Sequence, residues 1–178
     1  WLSGREYPAG RRNVLARTRG RGGGRSLLLT GHADVAPLEP DNWTVCRPFE
    51  PVVKDGRLYG RGSADMKGGL AAAFWALAVL KDLGFRPGGD LLFESLVDEE
   101  FAGGNGTLAA RLSGFNADLA VLLEPTRMQV CPACLGAFLG NLAIRGRAGM
   151  PFMGSEIPNP VYAAARAPRL NQVHHSFF

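Results

Sequence analysis

The sequence predicts an α/β fold. Three observations carry that prediction. Short apolar stretches of strand length lie at Ser26–Thr30, Asp90–Val97 and Asp118–Leu123. Helical segments separate the last two and precede them, so the order reads strand, helix, strand, helix, strand. Each of the three stretches ends in acidic or imidazole groups, at His32/Asp34, Glu99/Glu100 and Glu124.

The elements follow in chain order. Asn13 to Thr18 alternates as a strand does, and Gly20–Gly24 signals a turn. Leu27-Leu28-Leu29 is a short apolar run fit for a buried strand, running into Gly31-His32-Ala33-Asp34. Val35 to Pro51 is rich in Pro, Asp, Asn and Trp and reads as a loop. Val52 to Leu58 is expected to form a small hairpin around Asp55-Gly56. The glycine-rich loop Gly60–Asp65 precedes a helix over about Met66–Leu83. Its apolar stripe is Leu70, Phe74, Leu77 and Leu80, and Gly84 stops it. Asp90 to Val97 is the next strand, ending at Asp98-Glu99-Glu100. Gly103–Gly106 leads into a helix over about Thr107–Leu112, and Asp118 to Leu123 forms a third buried strand before Glu124-Pro125. From about Cys134 the character changes. Leu139 to Arg145 alternates like an antiparallel strand, and Tyr162 to Arg166 starts a helix. The expected division is 1–133 and 134–178.

Size and composition bound the function classes. The chain has 178 residues, 46% apolar and 20% charged, with 24 glycines, which is ordinary for a globular protein apart from the glycine. The net charge is +4, and Arg5, Arg11, Arg12, Arg17, Arg19, Arg21 and Arg25 supply much of it. No aromatic residues interleave those arginines, so a stacking platform for nucleic acid is missing and a solvated hairpin is expected. The longest apolar run, Leu70 to Leu80, is about half of the ~20 residues that a membrane span needs. Three cysteines imply no disulfide framework, and the cytoplasm is the expected compartment. Cys131-Pro132-Ala133-Cys134 has redox spacing, but no helix of thioredoxin type is expected after it, so the pair reads as incidental.

In open α/β sheets, ligands bind beyond the carboxyl ends of the strands. Four stretches therefore deliver His32 and the carboxylates Asp34, Asp65, Glu99, Glu100 and Glu124 to one rim. Carboxylates so close together repel and cannot all stay ionised unless cations sit among them. Imidazole with carboxylates suits zinc, and also cobalt or manganese. Five carboxylates exceed the needs of one zinc, and a metal pair about 3.5–4 Å apart uses them well. Asp65 could equally cap the helix that follows it.

Leu27–Pro37 resembles the first metal motif of the metallopeptidase family that holds acetylornithine deacetylase, succinyl-diaminopimelate desuccinylase, carboxypeptidase G and aminoacylase. Four further pieces agree in order and spacing: Trp43 with Pro48-Phe49, Asp55–Gly62 running into Asp65–Gly69, Asp98-Glu99-Glu100, and Glu124-Pro125-Thr126. The resemblance spans about residues 10–170. It implies a zinc-exopeptidase-like catalytic domain, with a mixed, largely parallel sheet between helices. The start of a small α+β lid and dimerisation domain follows. It implies that His32 ligates one metal, Asp34 orients His32, and Asp65 bridges two metals. Glu100 then binds the second metal, Glu124 the first, and Glu99 is the general base. A cis peptide after Asp65 is also implied. The activity implied is metal-dependent hydrolysis of an amide bond in small N-acyl amino acids or at peptide C-termini. The resemblance also implies that full-length relatives form homodimers through the lid, and no nucleic-acid or membrane partner is expected.

Two departures stand out. Arg145-Gly146-Arg147-Ala148-Gly149 leads to Met150, where the family has a lid His, and a thioether cannot donate that hydrogen bond. The family also supplies a last metal-binding His after the lid. Here His174 and His175 follow the first lid helix and are not assigned to that role. The second metal site is thus one ligand short. A truncated, inactive remnant is the alternative expectation, and an Arg-rich nucleic-acid binder is a third. Metal content separates the first two from the third.

Overall fold

The computed structural model describes residues 10–38, 42–101, 103–136 and 143–145. By contacts the chain divides into Trp1–Cys131 and Pro132–Phe178. Within the first unit, a four-stranded sheet runs in the order β1-β5-β2-β6. The strands are β1 (Val14–Thr18), β2 (Leu27–His32), β5 (Leu91–Leu96) and β6 (Leu119–Leu122). β2 pairs in parallel with both β5 and β6, and β1 closes one edge antiparallel to β5. The mixed, largely parallel α/β sheet is the expected one.

Register places the site. His32 lies opposite Leu96, and Thr30 opposite Leu122. The carboxyl ends of three strands are therefore level, with β2 in the middle. The hairpin β3 (Val52–Lys54) and β4 (Arg57–Tyr59) turns at Asp55 and Gly56, whose φ angles of 50° and 72° suit the tight turn that asparagine, aspartate and glycine tolerate.

The first long helix, α1, spans Gly68–Asp82. It starts two residues later than expected. Asp65 and Met66 hold non-helical angles, the Asp65–Met66 peptide is cis, and the Met66 side chain is turned fully into the core. Its end is as expected. Gly84, at φ 68°, lets its N–H reach Lys81 O and the Phe85 N–H reach Leu80 O, a Schellman closure. Gly84→Ala is expected to cost about 1 kcal/mol of stability, since alanine adopts that φ poorly. Urea unfolding measures it.

Burial corrects two expectations. On α1, Leu70 and Ala73 are buried, whereas Phe74 is 66% exposed. The stripe reading assumes a surface opposite Phe74. In the described residues Phe74 instead lines an open apolar cavity of about 810 Å³ with Val14, Phe85 and Phe93. The strand β6, expected to be buried, is an edge strand. Among the described residues it pairs on one side only, and Leu122 is 59% exposed.

Along β5 burial alternates, with Leu92, Glu94 and Leu96 on the fully buried face. Glu94 is an acid in the core. It accepts hydrogen bonds from Thr30 Oγ1 at 2.7 Å and from Arg111 Nη2 at 3.1 Å. Arg111 sits in the short helix α2 (Ala109–Leu112), so this pair ties α2 to the sheet.

Of the expected lid elements, the helix at Tyr162–Arg166, Met150, Arg147, His174 and His175 lie outside the described residues. Only 143–145 of the Leu139–Arg145 strand is described, and it is irregular. No helix among the described residues is long and apolar enough to cross a membrane.

Candidate metal centre

Each site residue leaves an element end. His32 is the last residue of β2 and is buried, 1% exposed. Its Nδ1 faces the Asp34 backbone carbonyl at 3.1 Å and the Asp34 carboxylate at 3.4 Å. That orients the ring and leaves Nε2 turned to the rim. Nε2 lies 3.1 Å from Asp65 Oδ1, 3.5 Å from Glu124 Oε1 and 3.8 Å from Glu99 Oε2. Two sets bring potential ligand atoms within 4.8 Å of one another: His32, Asp65 and Glu100, and His32, Glu99 and Glu124. All six residues singled out in the sequence thus converge, although they span residues 32 to 124.

Asp34 does more than face His32. Its two carboxylate oxygens accept the backbone N–H groups of Glu99 and Glu100, each at 3.2 Å. One side chain therefore grips both the imidazole and the turn that carries two carboxylates. Behind that turn, Asp98 is 1% exposed and accepts from Asn105 Nδ2. Asn13 accepts the Val97 N–H and donates to Asn105 O. Sequence reading assigned no role to Asn13 or Asn105, because no spacing links residues that lie so far apart in the chain. On the other flank, Arg61 stacks over Trp43 at 5.4 Å and donates to Pro37 O, tying the long loop to the approach of Asp65.

Electrostatics favour a cation. Burial, which removes water from the charged form, raises the pKa of Glu99 above 4.5, and the same cause raises that of Glu124. Burial also disfavours the His32 imidazolium, but the carboxylate of Glu124, the Asp34 carbonyl and the carboxylates of Glu99 and Asp34 outweigh it and raise the pKa above 6.5. The donor set, one imidazole nitrogen among acidic oxygens, fits a divalent metal.

The sign of the pH dependence follows. All three groups have folded values above their ordinary ones, so the fold favours their protonated forms. Their contribution to stability is complete below pH 4.5 for the two glutamates and below 6.5 for His32, and is lost as pH rises through the raised values. The metal-free chain is expected to lose stability as pH rises above about 4.5, with a further loss above about 6.5. Urea midpoints in chelator measure this, and a midpoint that climbs over that range contradicts it.

The sequence model of the peptidase family M20/M25/M40 matches residues 28–169. An N-formyl-4-amino-5-aminomethyl-2-methylpyrimidine deformylase from Bacillus subtilis is 36% identical over 126 residues, covering 70% of this chain and 29% of that protein. The enzyme of the same name from Halalkalibacterium halodurans is 42% identical over 106 residues, covering 60% and 25%. Among solved structures, an M20 family metallo-carboxypeptidase from Sulfolobus solfataricus superimposes with a TM-score of 0.52 at 25% identity. That match covers 62% of this chain and 25% of the other. The chain thus spans between a quarter and a third of the length of these relatives.

Proposed function

Because the chain belongs to the peptidase family M20/M25/M40, we propose that it forms the metal-holding part of a hydrolase that cleaves an N-acyl amide bond with water. The observation that carries this reading is the convergence of His32 Nε2 with Asp65, Glu99, Glu100 and Glu124. The bond class is common to the relatives' names, since a deformylase and a carboxypeptidase both break a C–N amide bond. The deformylase names favour a short acyl group on a small amine over a long peptide.

In this reading His32, Asp65, Glu100 and Glu124 would hold two divalent ions, zinc or else cobalt or manganese. The ions would supply Lewis acidity for water and for the acyl carbonyl. Glu99 takes the proton from the attacking water and passes it to the leaving nitrogen. Burial raises the pKa of Glu99, which brings it nearer a working pH. Asp34 holds the backbone from which that base projects. The three unpaired cysteines fit a reducing compartment, and we place the protein in the cytoplasm.

The test is metal content and turnover of the full chain with added zinc or cobalt, on N-formyl and N-acetyl amines. Two ions per chain with hydrolysis supports the reading. No bound ion and no hydrolysis overturns it. A second reading, a metal-holding chain without turnover, draws on Met150 at the position of the family's lid His. Ions bound without hydrolysis favour it.

A further inference from the structure

We propose that Gly69 and Gly106 are positioning residues that gauge the two flanks of the metal centre, an inference that rests on the metal-dependent reading above. His32 ends the middle strand, so its carboxylate partners must be brought in from β6 on one side and β5 on the other. At each flank a glycine presses on the strand end just before the acid. A Cβ built on Gly69, in the first turn of α1, would strike the Leu123 carbonyl oxygen and sit 3.0 Å from Leu123 Cβ. Leu123 immediately precedes Glu124. A Cβ on Gly106 would strike the Val97 carbonyl oxygen and sit 3.3 Å from Leu96 Cβ. Val97 immediately precedes Asp98 and Glu99.

In both places the obstacle is backbone rather than the end of a flexible side chain. A backbone carbonyl cannot swing aside as a side-chain tip can, so relief needs a shift of the glycine's helix, of the strand end, or of both. Leu123 is bonded through its N–H to Thr30 O, and Val97 through its N–H to Asn13. A shift of either strand end is passed to the residues that follow it: Glu124, 3.5 Å from His32, and, through Asp98 and the turn whose N–H groups Asp34 holds, Glu99, 3.8 Å from His32. One added methyl alters the spacing of ligand atoms without removing any of them. Displaced or unsupported ligands weaken metal affinity roughly 10–100-fold.

The control is Gly84→Ala. That glycine has a positive φ, open space around it, and lies at the far end of the same helix. It costs stability without touching a strand end. Zinc and cobalt(II) are titrated into the full chain and the three variants, following calorimetric affinity and the cobalt absorption spectrum. Gly69→Ala and Gly106→Ala are expected to bind tenfold or more weakly with an altered cobalt spectrum, while Gly84→Ala keeps both affinity and spectrum. If Gly69→Ala fails to fold, Gly106→Ala carries the measurement. Unchanged affinity and spectrum in the folded variants overturn the positioning role alone. So does failure of both to fold while Gly84→Ala folds, because the contacts then determine folding rather than ligand spacing. Absence of metal binding in the unsubstituted chain overturns the hydrolase reading and this inference with it.

Discussion

Arg111→Ala is expected to lower the unfolding free energy by about 3 kcal/mol, a large part of the ~5–15 kcal/mol typical of a domain. Glu94 is fully buried, and Arg111 Nη2 contacts both of its carboxylate oxygens, at 3.3 and 3.1 Å. Among the described residues, removing the guanidinium leaves the buried acid with the Thr30 hydroxyl as its one remaining hydrogen-bond donor. Breaking a buried pair in this way costs about 3–5 kcal/mol, and the lower end applies because water reaches part of the arginine. Arg111 remains 31% exposed. The double change Glu94→Leu with Arg111→Met is expected to recover much of the loss, because it removes both charges rather than one. Denaturant unfolding of Glu94→Leu, Arg111→Met and the double measures their coupling. Additive losses would show that the pair contributes nothing as a pair.

Glu99→Gln is expected to reduce kcat roughly 10²–10⁴-fold in the proposed hydrolase. Glutamine keeps the size and the backbone N–H that Asp34 grips, but it cannot accept and return a proton. In the assigned roles the metals are held by His32, Asp65, Glu100 and Glu124, so metal content is expected to stay the same. The measurement is turnover alongside metal analysis on one preparation. Glu99 Oε2 also lies within reach of His32 and Glu124 as a possible ligand. Loss of an ion in Glu99→Gln would therefore reassign it from base to ligand.

Much of the site was legible because its residues sit at strand ends, where a run of apolar side chains breaks into acids. The β2 motif, the Asp98-Glu99-Glu100 turn and Glu124 carry that signal in their own few residues. Glu94 carries the opposite signal. A single acid within an apolar stretch reads as an outward-facing residue, and its partner lies 17 positions away on a helix that no periodicity connects to it. The exposure of Phe74 and β6 was hidden for a related reason. Helical spacing and apolar runs report what a segment can bury, and the surface that buries it belongs to another part of the chain. The dual grip of Asp34 was also invisible, because its second pair of partners is reached only when β2 and β5 lie level.

That strand order also bears on how the chain leaves the ribosome. Both β1 and β2 find their first neighbour in β5, and among the described residues the hairpin β3–β4 is the one pairing complete before residue 91. At about 5–20 residues per second, the 58 residues between His32 and Leu91 take about 3–12 s to synthesise. Between the emergence of β2 and that of β5, an interval of about the same length, Leu27-Leu28-Leu29 has neither of its strand neighbours. A nascent chain in this state presents an apolar strand to any other polypeptide nearby; the arrival of β5 gives β1 and β2 their first neighbour at once, and the other edge of β2 waits for β6.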